Sequence, residues 1–214
     1  MEQSDKILLK HQRKMLGILC ALLAPMCLLF GLLGDNNPEW WYSISATYYT
    51  NSKMFLIGLL VTTSVYFFSY KGCDFWDNFL TTASAIFALG IVAFPCNAFG
   101  CPDRVGLFNL PVVASHIVHC ISAAGLFTMF ALMILLQFTK SGEEKTERKL
   151  IRNRIYRVCG WTIIAFELLV LVNSLAGWPH YMTIVYEAVM LSAFSMAWLV
   201  KGEAFAKLND EEEK

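Results

Sequence analysis

Six apolar stretches, each long enough to cross a bilayer, constrain this chain more than any other feature. They run over residues 15–34, 54–70, 79–95, 110–138, 158–177 and 182–200. An α-helix rises ~1.5 Å per residue, so about 20 residues cover a ~30 Å hydrocarbon core. The expected fold is all-α: a single polytopic membrane helix bundle over residues 1–214, with six transmembrane helices.

Charge sets the expected orientation. Of the 17 Lys and Arg, 15 fall on the side of the N-terminus under this assignment, and only Lys53 and Arg104 fall on the other. Short loops rich in Lys and Arg stay cytoplasmic, so both termini are expected there, in a cell membrane. Composition agrees: 16% of residues are charged, against ~25% in soluble domains. No soluble domain large enough to fold alone remains, and the basic surface is too small for nucleic acid. The first stretch exceeds the ~7–15-residue core of a signal peptide and no small-residue cleavage site follows it, so it is expected to persist as a span.

The connections carry local signals. Pro25 removes a hydrogen bond from the middle of the first span and is expected to kink it. Between spans one and two, Asn37 can cap a helix with Pro38 at its first position. There Trp40, Trp41, Tyr42, Tyr48 and Tyr49 fit an interfacial aromatic belt. The hydroxyls of Ser43, Ser45, Thr47, Tyr48 and Tyr49 also allow a lid; an anchor along the membrane surface is the favoured reading, with part of the segment expected to fold over the bundle. After span four, Ser141 and Glu144 have capping-box spacing, so one long helix is expected to run from Glu143 into span five. Of the seven cysteines, Cys96 and Cys101 fall in one outer loop, where Gly100 permits a tight turn. A disulfide between them is expected in an oxidising compartment.

Ionisable groups inside a bilayer are costly and usually face a bundle interior for a reason. The proposed spans hold His116, His119, Glu167 and Glu187, and His180 lies in the outer loop before span six. His116 lies ~9 Å below the start of span four, with His119 one turn deeper and Ser122 one turn deeper again. Glu187 lies at about the depth of His116 on span six, and Glu167 is near the middle of span five. These groups are expected to converge on one pocket in the outer half of the bundle. The ligand-binding candidates are therefore His116, His119, Ser122, Glu167, His180 and Glu187, with Ser45 and Tyr49 from the outer segment.

Three functions fit such a pocket. The leading one is binding of a lipid or small amphipathic ligand, with a sensing role, and membrane lipids as partners. A metal-dependent intramembrane hydrolase is the enzyme alternative. A divalent metal such as zinc would be held by His116, His119 and His180 or Glu187, leaving a position for an activated water. A proton-coupled transporter is the third, since buried His and Glu are the usual relay residues. Against all three stands simple packing, in which each polar group adds ~0.6–2 kcal/mol of interhelical hydrogen bonding.

The run Trp41-Tyr42-Ser43-Ile44-Ser45-Ala46-Thr47-Tyr48-Tyr49, with the six-span plan, resembles uncharacterised bacterial membrane proteins distantly similar to the DRAM-like family. That resemblance covers most of the chain and implies no settled activity. The His and Ser residues also resemble those of the alkaline ceramidase and adiponectin receptor superfamily, seven-span zinc amidohydrolases. That family uses His-x-x-x-His on its last span, whereas this chain has His116-Ile117-Val118-His119 on span four. No catalytic assignment carries over.

Overall fold

The computed structural model describes residues 3–34, 42–72, 74–140, 146–177 and 181–209. Six α-helices carry the fold: α1 (Gln3–Gly34), α2 (Lys53–Ser69), α3 (Phe75–Ala93), α4 (Val112–Leu132), α5 (Glu147–Ala176) and α6 (Tyr181–Lys201). A π-helical turn, Met133–Phe138, continues α4. Five of these helices are long and apolar enough to cross a membrane, and α2 is a shorter apolar helix of 17 residues. Each helix packs on its neighbours in sequence, and α6 closes the ring against α1.

Helix ends follow from local chemistry. Asp74 caps α3, its carboxylate accepting the Asp77 amide at 2.8 Å. Pro95 disfavours helical geometry at Phe94 and offers no N–H, so α3 stops at Ala93. The cap of α5 is Thr146, whose hydroxyl accepts the Lys149 amide at 3.1 Å. The expected Ser141 cap lies outside the described residues, as does the Asn37–Pro38 start. The long basic helix running into span five is present from Glu147. Pro25 lies within α1, which continues through it to Gly34.

Between α3 and α4 the chain forms a two-stranded antiparallel hairpin, β1 (Arg104–Val105) with β2 (Leu110–Pro111). Gly106 turns it with φ +78°, and a Cβ there would lie 2.5 Å from the Ala93 carbonyl oxygen. Only glycine meets both demands.

The two ends of the ring are filled differently. At one end, which carries Arg13, Lys14, Lys149 and Lys201, the centre is aromatic. Trp198 is fully buried, with ring centroids of Phe138, Tyr70 and Phe67 at 5.0, 5.4 and 5.9 Å. Phe130 stacks on Phe194 deeper in the bundle. The other end, which carries residues 42–52 and the hairpin, is closed by loops. Between the loops and the aromatic layer remains a cavity of about 50 Å³.

Candidate functional site

At the loop end the helices give way to irregular backbone, whose buried polar groups each need a partner. Four successive carbonyls, those of residues 94–97, each accept a hydrogen bond from a different side chain. Phe94 O lies 2.8 Å from His119 Nδ1, and Pro95 O accepts from Ser115 Oγ at 2.8 Å. Cys96 O accepts from the Tyr49 hydroxyl at 2.8 Å and Asn97 O from the Tyr42 hydroxyl at 2.9 Å. Thus α4 holds the segment from one side and residues 42–49 from the other. Burial pushes the Tyr42 and Tyr49 phenols up, so both keep the hydrogens they donate.

This arrangement assigns the two histidines. A carbonyl only accepts, so His119 Nδ1 carries its hydrogen. His116 Nδ1 instead accepts the Asn97 amide at 3.2 Å, so its hydrogen is on Nε2. To ligate a metal through Nε2, His116 would have to move that hydrogen to Nδ1, against the Asn97 N–H. Cys120 Sγ lies 3.8 and 3.7 Å from the two His116 nitrogens, against the ring rather than in line with one of them. With Nδ1 occupied, His116 is not placed as a base for this thiol. Among the described residues no three His, Cys, Asp or Glu lie together where they could hold a metal ion. His180 lies outside the described residues.

The expected Cys96–Cys101 disulfide is corrected by the structure: both thiols are free. Cys101 Sγ is directed to Asn97 Oδ1 at 3.3 Å. Cys96 is buried with Ala46 and Ala98 beneath Tyr42 and Tyr49. The loop is folded to pair its carbonyls with α4 and residues 42–49, and that geometry sends the two sulfurs apart. Burial, with the Glu187 charge next in effect, pushes the Cys96 thiol up, which keeps it protonated.

Glu187 is the second centre of the site. It projects from α6, and its carboxylate accepts from Ser43 Oγ at 2.9 and 3.0 Å and from the Ile44 amide at 2.6 Å. Each such hydrogen bond contributes about 0.5–1.5 kcal/mol net. Ser43 Oγ also accepts the Ser45 amide at 3.1 Å, and the chain then enters a short 3-10 turn, Ser45–Tyr49. Ser52 Oγ donates to Cys27 O at 2.5 Å and anchors the far end of the segment to α1. Residues 42–52 therefore form a strap over the ring, tied to α6, α1 and the α3–α4 loop. The expected folding of part of this segment over the bundle is what the described residues do.

Glu187, Ile44 and Ser45 form one wall of the cavity of about 50 Å³. The remaining lining is almost wholly apolar and includes Leu60, Ile91, Leu126, Phe127 and Leu191, with Thr63 the polar exception. A separate, open apolar groove of about 390 Å³ lies between α1 and α6, along Leu28, Ile184, Ala188 and Ser192.

The candidate residues thus divide. Glu187 and Ser45 share the cavity, and Tyr49 and His119 brace its surroundings. His116 sits at the loop itself, partly buried. Ser122 is buried at the α3–α4 contact, where a Cβ on Gly90 would overlap its hydroxyl. Glu167 is elsewhere: it accepts from Thr128 on α4 at 3.0 Å and lines neither cavity nor groove. Glu187, His119 and Glu167 share no hydrogen bond. Sequence reasoning missed Ser43, the Ile44 amide and Ser115 as partners. The dense hydroxyls of residues 43–49 were the available signal for the first two.

The fold defines a class, an all-helical bundle whose long apolar helices suit a membrane. Compared with known proteins, the chain matches no family model, no curated protein and no solved structure.

Proposed function

We propose that this is a six-span protein with both termini cytoplasmic, and that it binds an amphipathic molecule in the outer half of the bundle under the strap of residues 42–52. The carrying observation is Glu187, a carboxyl group at the head of an almost wholly apolar cavity, with its donors supplied by a loop rather than by a neighbouring helix. The 17 residues of α2 rise ~26 Å, within reach of a thin or locally adapted bilayer.

The chemistry selects the ligand. A carboxylate takes hydrogen-bond donors, so the headgroup carries an ammonium or hydroxyl group. The cavity below takes a hydrocarbon chain. Ligand pockets have volumes of about 300–1,000 Å³, so a cavity of about 50 Å³ is closed to any such molecule. Binding therefore requires the headgroup to replace Ser43 and Ile44 on Glu187, which lifts the strap and opens the cavity. A sensor works by such a change, because the ligand differs in affinity for the strapped and open states. The hydrolase and transport readings lack a comparable observation: His116 and His119 are engaged with backbone, and Glu187 and Glu167 have separate partners.

The test is lipid retention. Protein extracted in mild detergent is analysed by mass spectrometry for bound amphiphiles, beside Glu187→Leu. Retention of an amine- or hydroxyl-headed lipid by the parent, lost in Glu187→Leu, supports the reading. Equal lipid profiles for both proteins refute it.

A further inference from the structure

Glu187 and Glu167 are both carboxylic acids within spans, yet they are treated differently. Glu187 is enclosed and receives a hydroxyl and a backbone amide. Glu167, near the middle of α5, is only partly buried, and Thr128 is its one donor among the described residues. Thr128 is itself exposed on the outer face of α4. Ionisable groups at mid-span almost always face a bundle interior. This one sits at a seam on the outside of the ring.

The surroundings of that seam are apolar and open. On α4, Ile117 and Ile121 are exposed, and on α5, Leu168 and Leu171. Along α4 the exposed residues Cys120, Ala124 and Thr128 recur every four positions and are all small, which lets another helix approach closely. The cavity and the groove described above both lie elsewhere.

We propose that the α4–α5 seam is the contact between two copies of this chain, paired through Glu167 and Thr128 about a two-fold axis. The pair is self-complementary. A protonated carboxyl donates through its O–H and accepts through its other oxygen, and Thr128 also does both. Across a two-fold axis each Glu167 meets the Glu167 or Thr128 of the second copy, which is the isologous contact that closed dimers use. Dimerisation converts an exposed mid-span acid into an enclosed one. This surface is independent of the strap and of the ligand reading above.

The experiment counts subunits in liposomes at high dilution, by single-molecule photobleaching of fluorescently labelled full-length chain. The parent should bleach in two steps. Glu167→Leu should raise the dimer dissociation constant about tenfold or more, the size expected for loss of 1–2 kcal/mol of interhelical hydrogen bonding. Glu167→Gln, which both donates and accepts, should keep the dimer. In a Cys120→Ser background, Ala124→Cys should cross-link between copies and Leu33→Cys on the exposed face of α1 should not. A parent that bleaches in one step at every dilution overturns the proposal. So does a dimer that ignores both Glu167→Leu and a bulky Ala124→Phe, or that cross-links through Leu33→Cys instead.

Discussion

The centres of the two ends of the bundle are held by different forces, although Lys149, Arg152 and Asn153 also donate to backbone carbonyls around the rim of the basic end. At the basic end, Trp198, Phe138, Tyr70 and Phe67 fill the ring with interlocking side chains. At the loop end, side chains reach across mainly to backbone: His119, Ser115, Tyr49 and Tyr42 to four carbonyls, and Glu187 to the Ile44 amide as well as the Ser43 hydroxyl. Packing of the first kind is collective and lost only when the helices separate. Hydrogen bonds of the second kind exchange one at a time for other donors and acceptors. The difference marks the basic end as the scaffold and the loop end as the part able to change on binding.

Truncation of the packed end should have the largest effect. Trp198→Ala removes a fully buried ring and should destabilise the bundle by about 3–5 kcal/mol, read as a lowered thermal midpoint. Exchange throughout the molecule should accelerate, because the scaffold itself loosens. Glu187→Leu comes next. It leaves the Ser43 hydroxyl and Ile44 amide without their acceptor, at about 2–3 kcal/mol. Its signature should be local: faster hydrogen exchange over residues 43–50, with α3 and α4 unchanged. If both variants loosen the molecule uniformly, the distinction between scaffold and strap fails.

Smaller effects sharpen the same contrast. Tyr42→Phe and Tyr49→Phe each remove one neutral hydrogen bond to a loop carbonyl, and each should cost about 1 kcal/mol. Exchange at residues 42–50 should report it before the thermal midpoint does. The smallest effect lies at the basic end. The Lys140 ammonium, 2.5 Å from Asp74, and the Asp77 amide hold the Asp74 carboxyl below its ordinary value of 3.8. A depressed folded value means that the contribution is complete above that ordinary value and is lost as pH falls through the lower folded one. The pair is exposed, so the change should be slight. Lys140→Met should lower the thermal midpoint a little at pH near 7, and the gap should close as acid protonates Asp74.

The helices were legible because hydropathy is a local property, and all six apolar stretches coincide with helices. Azimuth was not: Glu167 and Glu187 were expected in one pocket, yet neighbouring helices turn one outward and the other inward. The His116–His119 spacing suggests metal chemistry because a sequence does not show that Pro95 ends α3 just where carbonyls need donors. The same carbonyls explain Cys96 and Cys101, whose spacing permits a bridge that the loop's pairing with α4 opposes. Residues 42–50 displayed their hydroxyls plainly, but their partners are distant in sequence.

The proposed function places a donor-headed amphiphile under the strap at Glu187. It is tested most directly with a long-chain amine carrying a photoactivatable group midway along its chain. Liposome-embedded protein is irradiated with this probe and the labelled residues are mapped. Labelling is expected inside the cavity, at residues such as Leu60, Leu126 and Leu191, with label there lost in Glu187→Leu. Labelling confined to the open groove at Leu28 and Ile184, at the same yield in both proteins, would contradict it.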